Sequence, residues 1–427
     1  MNPISVAFKG KGLFKLLQRA RSIFKSYGTT PARLDEALKQ FAALLEQFDC
    51  SATFPITTVA LERNPQTIKK YQQQGIEFAI HGYRHIDHHQ LSPEEQMAQL
   101  GLAKKVFDSV GIQARGFRGP YLHANAHTLI ALQDQNIAYD SSQGIDWDVL
   151  DGHETPAYRH VLNFYGALPV ANYPSLPSLD KNLVSIPYSL PDDEALAHRL
   201  ALETPVQMSA LWPAILRRSY ELGELFTLGL HPERTFTCKE PLRAVLSEAR
   251  QLNPPVWIAR LDQIADWWRA RSAAGIEIAD IASGEFQVTV KGPPGTTVLA
   301  RGVETDASTL PWNNGYRQIE ATTFIVRSPV RPFIGLSADV SSALAHFVRQ
   351  QGYIVESGGK EQNHALYLGQ SEFRAEDQRP LLARIEGAQR PLVRLGRWPN
   401  GAQSALTITG DIDALTLWDY MLRFFGR

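Results

Sequence analysis

The chain has 427 residues, with Lys+Arg 43 set against Asp+Glu 44, a neutrality that argues against a nucleic-acid binder relying on a field of positive charge. That length exceeds one ordinary core and implies two domains, or one large α/β domain carrying an insertion. Two cysteines, Cys50 and Cys238, make neither a disulfide framework nor a cysteine-rich zinc site.

The first segment, MNPISVAFKGKGLFKLLQRARSIFKSYG, is basic and partly apolar, but lysines and arginines interrupt each apolar run before it reaches signal-peptide length. No stretch is long enough to span a membrane, so a cytoplasmic protein is expected. Leu13, Phe14, Leu16, Leu17, Ala20, Ile23 and Phe24 share one helical face, with Lys15, Arg19, Arg21 and Lys25 largely outside it. Such a helix suits an anionic membrane surface, giving peripheral contact; docking on its own domain is the commoner use of the pattern.

From Thr30 to about Ala274 short apolar runs alternate with helical patterns. Strands are predicted at Ser51 (SATFPI), Ile76 (IEFAI), Ala114 (ARGF), Ile137 (IAYD), Leu183 (LVSIPY), Leu225 (LFTLGL) and Val256 (VWIA). Helices are predicted over Pro31–Gln47, Pro65–Gln74, Pro93–Val110, Ala124–Gln135, Val206–Leu222, Pro241–Leu252 and Leu261–Arg271, with prolines in several first turns, where a missing N–H costs nothing. Alternation of this kind predicts α/β architecture with parallel strands and helices outside, one strand short of an eight-stranded barrel. Around Ile276 the pattern changes to residue-by-residue alternation broken by Gly, Pro and Asn, as in antiparallel hairpins, with one helical segment, SSALAHFVRQQGY. The expected division is therefore 1–29 (amphipathic segment), 30–275 (barrel), 276–394 (β-rich accessory domain) and 395–427, whose strand supplies what the barrel lacks.

Four polar clusters follow directly on apolar runs, at the strand ends where a parallel barrel gathers its chemistry. In FAIHGYRHIDHH, His81 and His85 stand four apart, which on a helical turn puts both imidazoles on one side of a single metal ion. A solvated surface pair is the bland alternative, and adjacent His88 and His89 are expected at the surface. In TITGDIDA, Asp411 and Asp413 leave an extended strand on one face. One can complete a His2Asp set while the other takes a proton from water; alternatively, Asp413 or Thr416 simply caps the helix that follows. In GFRGPYL, Arg118 can hold an aspartate ionised and aimed, and a backbone N–H after Pro120 can face an oxyanion. In TLGLHPER, His231 ends a strand that Pro232 stops, a common place for a plain loop histidine.

Together, His-x-x-x-His, Arg-x-Pro-Tyr, Leu-x-x-His and Asp-x-Asp resemble the motif set of the polysaccharide deacetylases, metal-dependent carbohydrate esterases that remove N-acetyl groups from sugars. SATFPITTVALERNP and IAYDSS are similar to the family as well. The resemblance covers about Thr30 to Ala274 and the strand from Ala405 to Ala414, and leaves out 276–394. It implies that His81, His85 and Asp413 bind a divalent metal, zinc first, with cobalt, nickel or manganese also suited to His2Asp. It further implies Asp411 as general base, Arg118 as its orienting partner, the Tyr121 N–H as oxyanion donor and His231 as the acid that protonates the leaving amine. Asp146-Trp147 resembles the family's tryptophan motif.

The chain departs from the family in three places. Ile412 separates two aspartates that are commonly adjacent, as in a branch with peptidoglycan deacetylase-like and cyclic-amide hydrolase-like members. Gly82 replaces a frequent Ser or Thr. The Asp-x-Asp strand closes the chain instead of opening it, which implies a circular permutation. The expected activity is hydrolysis of the N-acetyl group of a saccharide, polymeric or lipid-linked; a cyclic amide or ureide hydrolase and a catalytically dead carbohydrate binder are the alternatives.

Overall fold

The computed structural model describes residues 27–202, 204–358 and 361–422. The amphipathic helix expected over residues 13–24 lies outside them. The first described helix, Ala32–Glu46, buries Leu34, Leu38, Phe41 and Leu45, the i, i+4, i+7, i+11 stripe that its sequence presents.

The predicted strands become β1 (Thr53–Ile56), β2 (Glu77–Ile80), β3 (Gly116–Phe117), β4 (Tyr139–Asp140), β5 (Leu183–Ser185), β6 (Leu225–Gly229), β7 (Val256–Ile258) and β8 (Ser404–Thr409). Every residue of β1, β2, β6 and β8 is buried, as strands covered on both faces require. The order along the sheet is β6-β8-β1-β2-β3-β4-β5, and all these pairs are parallel. The last strand of the chain thus lies between the sixth and the first. β8 pairs with β6 from Ala405 to Thr409 on one side; on the other, β7 takes Ser404 to Leu406 and β1 takes over at Thr409.

Two features correct the expectation of a barrel of seven to eight parallel strands. The nine-stranded sheet curls without closing, and it ends in an antiparallel strand, Ser178–Asp180, paired with β5. Lys181, at φ 52°, and Asn182 turn the chain between those two strands, so this edge finishes in a hairpin. The gap is bridged without a ladder: Leu225 N–H donates to the Ser175 carbonyl at 2.9 Å, and Thr227 N–H to Ser189 Oγ at 3.1 Å.

The helices also differ in detail. Pro241 lies inside Thr235–Ala249, six residues after its start, and not in a first turn; the helix begins early because it continues directly from the turn Pro232–Arg234. The helices Thr58–Arg63, Pro156–Tyr165, Asp193–His198 and Gln378–Gly387 are not expected from the sequence and emerge only in the structure.

Beyond Ser272 two four-stranded antiparallel sheets form, as the alternating pattern implies. The segment is less purely β than expected. Arg331–Leu336 pairs in parallel with both Val355–Ser357 and His364–Leu368, beside the helices Ser342–Gln350 and Gln378–Gly387. One hydrophobic cluster runs through both parts of the molecule, joining Ala265 and Trp268 of the helix Leu261–Ser272 to Leu344, Val348, Leu381 and Trp398. No helix among the described residues is long and apolar enough to cross a membrane.

Candidate active site

The segments that follow the C-terminal ends of β1, β2, β3, β6 and β8 come together at one end of the sheet. Gly410 allows β8 to pass β6 there, since a Cβ on it would stand 2.0 Å from the Leu230 carbonyl oxygen. Asp411 and Asp413 therefore follow the end of β8 and do not lie within the strand, as expected from their spacing. Backbone bonds hold them against β1: Ile412 N–H donates to Pro55 O at 2.7 Å, Thr57 N–H to Ile412 O at 3.1 Å, and Thr57 Oγ1 to Asp413 O at 2.9 Å.

His81, His85 and Asp413 present ligand atoms within 4.8 Å of one another. His85 Nε2 stands 3.4 Å and His81 Nε2 3.5 Å from Asp413 Oδ1. Two ligands each about 2.1 Å from a tetrahedral cation stand about 3.4 Å apart, so the donor set fits a divalent ion. His81 Nδ1 lies 2.8 Å from the Arg118 carbonyl, which fixes the ring and leaves Nε2 for the cluster. Gly82 has φ 73°, and a Cβ there would meet the Arg84 carbonyl at 2.8 Å; this conformation leaves no room for a Ser or Thr side chain.

Asp411 occupies the adjoining position. Arg118, fully buried, donates from Nη1 to Asp411 Oδ1 at 2.8 Å and to Thr409 Oγ1 at 3.0 Å. Its other nitrogens are spent on Ser141: Nε on the carbonyl and Nη2 on Oγ, both at 2.9 Å. The guanidinium also lies over the Tyr188 ring, 4.6 Å from its centroid. Asp411 Oδ2 points toward His81, 3.8 Å from Nε2. Burial acts to raise the Asp411 pKa, but Arg118, His81 and His231 outweigh it and hold the carboxyl below its ordinary value.

His231 sits just past β6, with Nδ1 2.9 Å from Asp193 Oδ1 and its backbone N–H 2.8 Å from Asp193 Oδ2. Arg234 Nη1 donates to the same Oδ2 at 3.3 Å. Burial works against charge on His231, yet Asp193 outweighs it and raises the imidazole well above the usual histidine range. Asp193 itself is held down to about 2, burial being outweighed by His231 and Arg234. Tyr121 occupies a strained turn: it and Leu122 have φ 61° and 59°, and the Tyr121 ring meets His85 edge-on at 4.5 Å.

The structure thus brings together His81, His85, Arg118, Tyr121, His231, Asp411 and Asp413, and adds Thr409, Ser141, Tyr188, Asp193 and Arg234. Of these, Ser141 lies in the stretch IAYDSS, and Asp193 in an acidic pair directly after a strand and a proline. Asp146 and Trp147 belong to the supporting wall: Tyr158 OH donates to Asp146 Oδ1 at 2.7 Å, and buried Trp147 donates from Nε1 to Ser189 Oγ at 3.0 Å. His88 corrects an expectation. His89 is exposed, but His88 is wholly buried against Phe117, and neither of its ring nitrogens meets a protein hydrogen-bond partner.

A second group, Asp87, His89 and His123, also brings ligand atoms within 4.8 Å, but its atoms are engaged with one another. His123 Nδ1 faces Asp87 Oδ1 at 2.9 Å and Nε2 faces the Phe164 carbonyl at 2.7 Å. The His89 and His123 rings stack face to face at 4.4 Å and 9°, which aims their lone pairs alongside each other and not at a common point.

Residues 20–139 match the family model for polysaccharide deacetylase. The matched stretch contains His81, His85, Arg118 and Tyr121, whereas Asp411, Asp413 and His231 lie outside it. The chain is 31% identical over 100 residues to peptidoglycan deacetylase-like protein FGM2 of Gibberella zeae, a stretch covering 23% of this chain and only 28% of that protein. Among solved structures, a putative polysaccharide deacetylase from Mycobacterium smegmatis aligns at 23% identity and TM-score 0.43, over 54% of this chain and 76% of the other. A probable polysaccharide deacetylase from Pseudomonas aeruginosa PAO1 aligns at 19% identity and TM-score 0.44, over 56% and 74% respectively.

Proposed function

We propose that the protein is a metal-dependent deacetylase hydrolysing the N-acetyl group of a sugar in a polysaccharide or a lipid-linked glycan. The observation that carries this reading is the pair Asp411 and Asp413: one carboxylate is clamped by a buried arginine, and its neighbour joins two imidazoles as a three-donor set. In this reading His81, His85 and Asp413 hold the cation, which supplies Lewis acidity. Asp411 accepts a proton from the attacking water at Oδ2, because Arg118 occupies Oδ1 and keeps the group ionised. The Tyr121 N–H, presented by its left-handed turn, donates to the oxyanion. His231, kept protonated by Asp193, delivers a proton to the departing nitrogen.

The position of β8 supports a circular permutation, in which the strand that would open such a fold has become the last. Residues 276–394 then form an accessory unit inserted before it.

The test is acetate release from N-acetylated oligosaccharides by the full chain with zinc, cobalt, nickel or manganese restored, run beside Asp411→Asn. Metal-dependent release that Asp411→Asn abolishes while retaining its metal is expected. Ring opening of a cyclic ureide in place of acetate release would overturn the substrate assignment. Equal metal content in His81→Ala and the parent would remove the site.

A further inference from the structure

A cleft of about 150 Å³ is lined from both parts of the chain, by Gly223, Arg397 and Gln403 on the sheet side and by Glu386 and Arg394 on the other. Three carboxylates border it, and each already has an arginine. Glu221 pairs with Arg218 at 3.6 Å, Glu224 with Arg379 at 2.9 Å, and Glu386 with Arg394 at 2.7 Å and Arg301 at 3.2 Å.

Arg397 is the cation left over. It is 8% exposed, and its Nη1 donates to the carbonyls of Leu222 at 3.0 Å and Gly223 at 3.3 Å, closing the C-terminal end of the helix Pro205–Leu222. Its Nε is buried without a partner among the described residues. A helix cap accounts for Nη1 but not for a buried charge whose Nε meets nothing. Gln403 is buried beside it; its Nε2 donates to the Tyr220 carbonyl at 3.1 Å, while its Oε1 has no donor among the described residues. The two side chains flank Gly223, where a Cβ would stand 3.3 Å from Arg397 Nη1 and 3.8 Å from Gln403 Nε2. Positive charge is crowded here: burial and then Arg394 push the Arg397 guanidinium below its ordinary value, and burial, then Arg394 and Arg397, push Arg271 down to about 9.

A ligand that satisfies this cleft brings negative charge to Arg397 and a hydroxyl to Gln403. We propose that the cleft binds a phosphate group, whose anionic oxygens accept from Arg397 while its P–OH donates to Gln403 Oε1. Near neutral pH the free ion keeps a P–OH, and an ester keeps one in its singly protonated form. Arginine suits the ligand because its charge-assisted bonds to phosphate are short and strong. The site stands apart from the His81, His85 and Asp413 cluster and does not depend on the deacetylase reading.

The experiment titrates inorganic phosphate, glycerol 3-phosphate and sulfate into the full chain by calorimetry at constant ionic strength, using the parent, His81→Ala, Arg397→Gln and Gln403→Leu. Phosphate binding that persists in His81→Ala and weakens about tenfold in Arg397→Gln is expected. In the parent phosphate binds more tightly than sulfate, which lacks the hydroxyl, and Gln403→Leu removes that preference. Tighter binding of the ester or of the free ion names the source, and either supports the site. Should Arg397→Gln fail to fold, hydrogen exchange of the parent decides: phosphate slows the Gly223 and Gln403 amides. Phosphate affinity lost in His81→Ala but kept in Arg397→Gln puts the ion on the metal cluster and overturns the site. Equal binding of sulfate and phosphate by the parent, unchanged exchange at those amides, or no phosphate binding overturns it as well.

Discussion

Asp193 and His88 show how environment, more than residue type, sets what a group can do. His231 owes its charge to Asp193, which holds both its Nδ1 and its backbone N–H. As the proposed acid it must be protonated, so activity falls only as pH rises past its raised pKa. Asp193→Asn should draw the alkaline limb of kcat/KM back toward the ordinary histidine range near pH 6.5; a pH–rate profile of the two proteins checks this. His88 is the opposite case. Burial first, then nearby His81, push it down to about 4. The unfolded chain takes up a proton near pH 6.5 and the folded one does not, so stability is lost as pH falls through that window. From pH 7 to pH 5 the loss is about 2 kcal/mol, read as a drop in the urea midpoint. His88→Leu, which replaces an unpartnered imidazole by a hydrocarbon, should flatten that dependence.

Among the elements, the loop after β2 is the most demanding. Gly82 is required there by its positive φ and by the Arg84 carbonyl. Gly82→Ala should cost about 1–2 kcal/mol of stability and weaken zinc binding, seen as a lower Tm both with chelator and with zinc. The two left-handed residues at Tyr121 and Leu122 were not visible in GFRGPYL, because Pro120 announces a turn but not its handedness. Alternation of apolar runs and helices located the parallel strands of the sheet but not its antiparallel edge strand, Ser178–Asp180. It could not distinguish a closed barrel from a curled sheet, since closure depends on which edges reach each other. The parallel pairing of Arg331–Leu336 was hidden for the same reason.

At the scale of the molecule, the two parts share a core and a buried ion pair. Glu224, fully buried just before β6, accepts from Arg379 Nη2 at 2.9 Å and from Ser175 N–H at 2.8 Å. Arg379→Leu leaves that carboxylate without its cation and should cost about 3 kcal/mol. Urea unfolding followed by fluorescence and by far-UV CD should show one earlier, coincident transition; two separate transitions would mean that the parts unfold independently. Ending the chain before Ala405 removes β8 from between β6 and β1 and takes both aspartates with it. Such a truncation should bind no zinc by elemental analysis, whatever fold remains.

Position at the end of an apolar run drew attention to His81, His85, Arg118, Tyr121, His231, Asp411 and Asp413, a strand end being a local property of sequence, but it was the ordered combination resembling a family's motif set, and not spacing alone, that gave them roles. Local sequence also marked most of the helices, through proline, capping residues and apolar stripes. Only the tertiary structure decided that the curled sheet stays open, that Thr409 and Ser141 brace Arg118, that Asp193 holds His231, and that His88 turns inward. Each of those depends on contacts between segments far apart in the chain, and the spacing of residues along one strand carries no record of what another strand brings beside it.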